Sequence, residues 1–287
     1  MALEGLQIVG ESLNDSVPAT GQLYTENDLD GIRELARLQE RKGAAYIDVN
    51  VGKRSPAFMA LVVRTIQGGI TTPLSIDSPD FNLARAGLEA CNPEGTGLPI
   101  LNSISPLRTE MFELARIFRF RPVLMVSERG EQGKARMNHT CEEIHATARD
   151  MLTLAAEYGI SPERCIFDVG IAPLAIDSEG LTKRTFSAIG LIGADPAFRG
   201  CSFILGLTNF SHMLPARRAS DGLAIRSALE SALLTKLMPL GLNMVVGSVH
   251  RNYRLLPPDH PAMACLEDVL ALDGIEAVMR VQTFLTT

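Results

Sequence analysis

Short apolar runs alternate with helical patterns eight times along this 287-residue chain, and the alternation limits the folds available to it. Each run has the length of one strand, and each is followed by apolar residues at helical spacing. Eight such units favour a closed (β/α)8 TIM barrel, formed as a single domain over residues 1–287, over an open doubly wound sheet. The predicted strands span residues 7–12, 46–51, 73–78, 99–104, 122–126, 165–169, 202–209 and 243–249.

A Ser-Pro pair follows the second, third and fourth predicted strands and indicates where the next helix begins. Serine is a good helix N-cap and proline suits the first helical position, so Ser55-Pro56, Ser78-Pro79 and Ser105-Pro106 predict three helix starts. The third strand ends on Asp77, immediately before one of these pairs. Ligands bind at this end of the strands in parallel α/β proteins, so Asp77 is the first candidate site residue.

Three further segments have sequence patterns that predict their local structure. The stretch from Ser127 to Asn138 is charged and contains glycine, and we expect a loop there that could act as a lid. Thr140 and Glu143 have the spacing of a capping box at the start of a long helix that ends near Tyr158. The helix after the seventh strand is expected over residues 220–240.

Composition excludes several classes of function. The net charge of −6 and the scattered basic residues give no reason to expect nucleic acid as a partner. No apolar stretch approaches the roughly 20 residues of a membrane span, and the N-terminus lacks a signal peptide pattern, so we expect no membrane association and a cytoplasmic location. No dinucleotide or P-loop motif follows a strand. The five cysteines form no CxxC pair and the five histidines share no ligand spacing, so we expect free thiols and no metal.

Acidic and amide side chains recur at or near the carboxyl ends of the predicted strands, where a barrel would direct them to one pocket. Any one of them is readily explained as a turn or helix-capping residue, but their recurrence on several strands favours a shared binding cup. Carboxylates and amides suit a flat heterocycle with adjacent donors and acceptors, such as an amino-pyrimidinone edge. His212 and His250 lie just beyond strands and are the histidines closest to this cup. The cup consists of Asn50, Asp77, Asn102, Asp168 and Asn209.

At these residues the sequence resembles the pterin-binding barrel family, which includes dihydropteroate synthases and methyltetrahydrofolate:corrinoid protein methyltransferases. The resemblance spans essentially the whole chain, and its strength lies in the order of the matching stretches rather than in any one of them. The matching stretches are residues 8–14, 47–52, 74–78, 101–103, 167–168 and 205–211.

The resemblance implies a role for each candidate residue. Asp77, Asn102 and Asp168 would hold the pterin ring, with Asp168 facing the N–H edge of its pyrimidine. Arg217 and the adjacent Arg218 are candidates for the anionic glutamate tail, although both also suit a solvated helix start. The full set of substrate-binding residues implied in this way is Glu11, Asn14, Asp48, Asn50, Asp77, Asn102, Asp168, Asn209, Ser211 and Arg217.

Asn209 favours one branch of the family. Dihydropteroate synthases place a basic residue in this stretch, whereas the methyltransferase branch has Gly-Leu-Ser-Asn, and this chain has Gly206-Leu207-Thr208-Asn209. Thr208 thus replaces the usual Ser, and His212 stands where an amide is expected. The synthase-type Lys-Gly-Gly loop is not evident.

The branch implies methyl transfer between N5 of tetrahydrofolate, or its 5-methyl form, and the cobalt of a corrinoid carried by a partner protein. Asn209 would accept a hydrogen bond from protonated N5 and stabilise the charge that develops there. The expected assembly is a homodimer. Two alternatives remain open: a dihydropteroate synthase and a non-catalytic pterin-binding barrel. The direction of transfer, the original methyl donor and the identity of the corrinoid protein do not follow from the sequence.

Overall fold

The eight apolar runs form parallel strands that close into a barrel in the computed structural model, which describes residues 3–217 and 222–286. Around the barrel the order is β1, β10, β9, β8, β5, β4, β3 and β2, so the predicted (β/α)8 TIM barrel is confirmed. The barrel strands are β1 (Gln7–Asn14), β2 (Tyr46–Asn50), β3 (Leu74–Asp77), β4 (Ile100–Ile104), β5 (Arg121–Met125), β8 (Ile166–Asp168), β9 (Ser202–Gly206) and β10 (Leu242–Gly247). The other two strands, β6 (Glu128–Glu131) and β7 (Lys134–Met137), pair with each other.

Helices surround the barrel and connect successive strands. They are α1 (Pro18–Glu26), α2 (Leu29–Arg41), α3 (Pro56–Gln67), α4 (Phe81–Ala90), α5 (Pro93–Thr96), α6 (Cys141–Glu157), α7 (Leu181–Ala194), α8 (Leu207–Phe210), α9 (Ile225–Leu237), α10 (Pro261–Ala271) and α11 (Gly274–Thr286). Shorter 3-10 helices span Thr109–Arg116, Pro162–Arg164, Leu174–Ile176, Pro196–Phe198 and Met238–Leu240. In the described part of the chain no helix combines the length and the apolarity needed to cross a membrane. All five cysteines are free.

Two apolar layers hold the fold together. The larger one lies between the strands and the surrounding helices, and a smaller one fills the interior of the barrel. At the amino-terminal end of the strands, the Arg121 guanidinium donates hydrogen bonds to Tyr46 Oη at 3.1 Å and to Ser202 Oγ at 3.0 Å. The interior layer consists of Val9, Ile100, Val123, Ile166, Ile204 and Met244.

The helix after β3 does not begin at Ser78-Pro79, so this prediction is wrong. Helix α4 begins at Phe81, and Asp80 is its N-cap: one carboxylate oxygen accepts hydrogen bonds from the backbone N–H groups of Asn82 and Leu83, both at 2.9 Å. An ionised carboxylate is a stronger acceptor than a hydroxyl, so the acidic residue after the Ser-Pro pair takes over the cap.

The other two Ser-Pro pairs have different outcomes. Ser55 caps α3 as predicted, because its hydroxyl accepts a hydrogen bond from the Phe58 N–H at 3.2 Å. The prediction for Ser105-Pro106 is wrong: the Ser105 hydroxyl accepts from the Leu107 N–H at 3.4 Å in a turn, and the chain then enters the 3-10 helix Thr109–Arg116. Serine side chains stabilise such turns as readily as helix starts.

Three other predictions need correction. The expected loop after β5 is an antiparallel hairpin formed by β6 and β7, followed by the predicted capping box of Thr140 and Glu143. Strand β9 ends at Gly206 and not at residue 209, because α8 starts at Leu207. The helix expected over residues 220–240 is α9, Ile225–Leu237; Ser220 lies outside the described residues. Helices α1 and α11 were not predicted.

The contact of α4 with β3 gives a test of this packing. A Cβ atom at Gly87 would lie 2.6 Å from Ile76 Cγ2, whereas one at Gly190 in α7 would meet no atom within 4 Å. Gly87→Ala should therefore lower the free energy of unfolding by about 1–3 kcal/mol through overpacking. Gly190→Ala should raise it by up to about 1 kcal/mol, because alanine is the better helix former. Urea denaturation measures both, and equal effects of the two substitutions would contradict the packing described.

Candidate active site

A cavity of about 590 Å³ opens at the carboxyl ends of the barrel strands. Successive side chains of a strand point alternately into and out of a barrel, so the last inward residues of all strands share this space. Val123 and Ile204 of the interior layer, together with Val246, give it an apolar floor. The structure brings together seven of the predicted site residues on its wall: Glu11, Asn14, Asp48, Asp77, Asn102, Asp168 and Asn209.

Asp48 and Asp77 form an acidic pair on the neighbouring strands β2 and β3. The Ser75 hydroxyl donates to Asp48 Oδ1 at 2.7 Å, and Asn50 Nδ2 donates to Asp77 Oδ2 at 2.8 Å. Burial and then the nearby charge of Asp77 raise the pKa of Asp48 well above its ordinary value. Burial also raises the pKa of Asp77, but hydrogen bonds from Asn50 and Asp48 oppose that shift. Protonation of the pair is therefore favoured on Asp48, and Asp77 is the acid whose ionised form the hydrogen bonds favour.

Asp168 lies directly across the barrel from Asp48, at the end of β8. Its Oδ1 accepts a hydrogen bond from the Gly170 N–H at 2.8 Å. Burial raises the pKa of Asp168 to about 6, although this hydrogen bond lowers it. Asn102, whose peptide bond to Ser103 is cis, pairs in register with Asp77 on the same wall. Two carboxyl groups and an amide thus face one another across the cavity.

The one-turn helix α8 carries Asn209 to the rim of the cavity. The Thr208 hydroxyl donates to Glu11 Oε2 at 2.7 Å, which connects α8 to β1. Burial raises the pKa of Glu11, while Thr208 and the charge of Arg251 lower it. The Asn209 amide lies over Gly206, where an added Cβ would be 2.9 Å from Asn209 Nδ2. Asn209 itself is exposed, so its amide can contact a bound molecule.

The remaining candidates lie off the cavity wall. Asn50 acts through its hydrogen bond to Asp77, and Ser211 is buried with its hydroxyl accepting from Arg251 Nη1 at 3.0 Å. The Arg217 side chain is exposed and does not line the cavity, and Arg218 lies outside the described residues.

Sequence reasoning missed four polar residues of the wall, namely Ser12, Ser16, Thr208 and Ser248. Ser248 continues the inward alternation of β10, so the two-residue period was a usable signal for it. Thr208 could not be placed by that signal because it lies on a helix. Neither His212 nor His250 lines the cavity.

The family model for pterin binding enzymes matches residues 14–250, which is most of the chain. The chain belongs to the pterin binding enzyme family. The matched region includes every cavity-lining acid and amide except Glu11.

Individual relatives agree with this assignment. A methylcorrinoid:tetrahydrofolate methyltransferase from Eubacterium limosum is 28% identical over 220 residues, covering 74% of this chain and 76% of that protein. The dihydropteroate synthase of Thermus thermophilus superposes with a TM-score of 0.59 at 16% identity, covering 94% of this chain and 93% of that one. The dihydropteroate synthase of Xanthomonas albilineans, in complex with 7,8-dihydropteroate, gives a TM-score of 0.56 at 14% identity, covering 95% and 96%. At these identities the two structures establish the fold.

The cavity of this pterin binding enzyme is acidic, without basic side chains among the described residues that line it. Its carboxylates and amides offer acceptors for N–H groups, which is the chemistry that an amino-pyrimidinone ring requires. Within residues 3–217 and 222–286, no three His, Cys, Asp or Glu side chains are grouped as a metal site.

The proton on Asp48 predicts a pH dependence of stability. A carboxyl group whose pKa is raised by folding stabilises the protein below the pKa of the unfolded state, and this contribution is lost as pH rises through the folded pKa. The free energy of unfolding should therefore fall from about pH 4 upward, and Asp48→Asn should flatten that fall because an amide cannot ionise. Urea denaturation across pH 4 to 8 measures it, with Glu4→Gln on the surface as the control. Identical pH profiles for wild type and Asp48→Asn would show that Asp48 is ionised in the folded protein.

Proposed function

We propose that this pterin binding enzyme is a methyltransferase that moves a methyl group between N5 of tetrahydrofolate and the cobalt of a corrinoid carried by a separate protein. One observation carries the proposal: the cavity combines opposed carboxyl groups with the free amide of Asn209, and no basic side chain lines the described wall. A site that displaces diphosphate requires cations around the leaving group. The acidic wall therefore favours methyl transfer over the synthase reaction, and the Eubacterium limosum relative supports the same activity.

The carboxyl groups would bind the pterin ring by its hydrogen-bond donors. Asp168 accepts from the amino and ring N–H groups of the pyrimidine, as its position at the end of β8 and its free oxygen allow. Asp77 accepts a further N–H on the opposite side, and a hydrogen bond donated by the Asp48 carboxyl group favours the ionised form of Asp77. Asn102 lies between the two acids and can donate and accept at the ring edge. The pterin is then held in one orientation in the cavity.

Asn209 would act on the reacting nitrogen. Methyl transfer from N5 breaks a carbon–nitrogen bond, and the nitrogen must carry positive character as the bond breaks. The Asn209 carbonyl can accept a hydrogen bond from protonated N5 and stabilise this charge. In the opposite direction, N5 gains positive charge when it is methylated and then loses its proton. The same amide interacts with that charge and with that N5 proton. The corrinoid supplies the cobalt that accepts or gives the methyl group, and the partner protein must bring it to the open side of the cavity.

Binding of folate without metal is the first prediction. Calorimetric titration with tetrahydrofolate and 5-methyltetrahydrofolate should give the same affinity with and without a chelator, because carboxylates and amides make the contacts. Asp168→Ala should weaken binding by about 2–4 kcal/mol, since buried ligand donors lose their acceptor. Glu131→Ala, in the exposed hairpin, should leave it unchanged. Metal-dependent binding, or equal affinities for the two variants, would refute this account of the site.

The decisive experiment concerns Asn209. If its amide stabilises charge on N5 mainly in the transition state, Asn209→Ala should lower the single-turnover rate of methyl transfer about 10- to 1,000-fold and affect folate affinity less. Stopped-flow absorbance of free cob(I)alamin as it becomes methylcob(III)alamin measures the rate, beside a folate titration. Asn82→Ala, on the exposed surface of α4, is the matched control.

Two results would replace the proposal. Equal losses of rate and affinity in Asn209→Ala would mean that Asn209 provides uniform binding and no catalysis. A wild-type protein that condenses a pterin diphosphate with p-aminobenzoate, and transfers no methyl group to cobalamin, would be a dihydropteroate synthase.

A further inference from the structure

The helix that carries Asn209 is too short to be stable by itself. Helix α8 has four residues, Leu207–Phe210, and a single helical turn is unstable in isolation because nucleation is unfavourable. Its position must therefore be set by contacts with the rest of the barrel. Leu207 and Phe210 are fully buried and fix the inner side of the turn. The outer side carries Asn209, which is exposed and whose side chain makes no hydrogen bond to another described residue.

Polar contacts restrain α8 at both of its ends. At the first turn the Thr208 hydroxyl donates to Glu11 on β1. Just beyond the last residue, the Ser211 hydroxyl accepts a hydrogen bond from Arg251 Nη1 at 3.0 Å. Arg251 belongs to the segment after β10, so α8 is connected to β1 and to the end of β10, which are neighbouring strands in the barrel.

Arg251 is itself held by a buried carboxylate. Glu230 lies in α9, is fully buried, and pairs with the Arg251 guanidinium; it accepts no other hydrogen bond from the described residues. A buried carboxylate with a single partner needs that partner in place, because an uncompensated buried charge is strongly unfavourable. Glu230 therefore fixes the guanidinium, and the guanidinium fixes Ser211 at the end of α8.

We infer that Glu230 and Arg251 are positioning residues for Asn209, acting through Ser211 to hold α8 over the cavity. This inference rests on the proposed role of Asn209 in methyl transfer. Neither Glu230 nor Arg251 lines the cavity, so their effect is on the placement of the amide and not on contact with the pterin. Small displacements of a catalytic group have large effects on rate, whereas ring binding by Asp77 and Asp168 does not depend on α8.

The test uses the double variant Glu230→Gln/Arg251→Gln in the full-length protein. Two glutamines leave no lone buried charge, and the shorter side chain at position 251 loses the reach to Ser211. Ser211→Ala cuts the same link without touching the ion pair. The matched control is Lys236→Gln/Glu267→Gln, which neutralises another ion pair of α9, one between α9 and α10.

Both test variants should show faster amide hydrogen exchange at residues 207–211 than wild type, with folate affinity unchanged. With 5-methyltetrahydrofolate and cob(I)alamin, their kcat should fall about 10- to 100-fold while KM for the folate stays constant. The control should match wild type in all three measurements. A merely structural pair would give normal exchange at α8 and a normal rate once the charges are neutralised, and that result overturns the inference.

Two further outcomes are separable. Loss of folate affinity that grows with the number of glutamates on the ligand would make Arg251 a ligand for the folate tail and overturn the positioning role. If wild type transfers no methyl group either to free cobalamin or to a corrinoid protein, the proposed function fails. In that case hydrogen exchange still tests whether Ser211 and Arg251 hold α8 in place. Unchanged exchange at residues 207–211 in Ser211→Ala would overturn this part of the inference.

Discussion

Closure of eight parallel strands into a barrel is the constraint on which the site depends. Closure directs every second side chain inward, and these side chains fill the interior in a few stacked layers. In this chain the lower layer is apolar, with Val9, Ile100 and Ile204 among its members, and Arg121 fills the amino-terminal end. Polar side chains two residues further along the same strands then face one another above this layer. Asp48, Asn102 and Asp168 come together for this reason, although they are far apart in sequence.

Collecting acids in this way brings carboxyl groups close together in a buried space, which disfavours their ionised forms. Glu11, Asp48, Asp77 and Asp168 share one cavity, and no basic residue of the described wall offsets them. Burial raises the pKa of each of the four. Asn50 donates a hydrogen bond to Asp77 and favours its ionised form, and Ser75 donates a hydrogen bond to Asp48. Such a cavity disfavours phosphate and favours molecules that bring N–H donors. The burial that raises the pKa values of the acids therefore also contributes to the selectivity of the cavity.

The sequence was informative where a residue's role follows from a strand period or a helix cap. The barrel, the capping box of Thr140 and Glu143, and the positions of Asp77, Asn102 and Asp168 at strand ends all followed from such local patterns. The start of α4 did not, because Ser78 and Asp80 are both good caps and the local pattern does not choose between them.

Local structure that is determined by tertiary contacts could not be predicted from the sequence. Leu207–Phe210 reads as the end of an apolar strand, yet it forms a helical turn held by Glu11 and Arg251. Neither partner is near it in sequence, so no local pattern could reveal the turn. The hairpin after β5 was hidden for a different reason: its residues are charged and exposed, and they resemble a loop in composition.

The change from strand to helix at Gly206 determines where the side chain of Asn209 lies. A strand residue at position 209 would point into the barrel or toward the surrounding helices, whereas the turn of α8 carries Asn209 across the rim. The absence of a side chain at Gly206 leaves room for the amide to lie over the cavity. Asn209 is consequently exposed while the acids below it are largely buried. A pterin bound to the acids would present one face to solvent beside this amide. A second reactant too large to enter the barrel could reach a pterin bound there only from this outer side, beside the Asn209 amide.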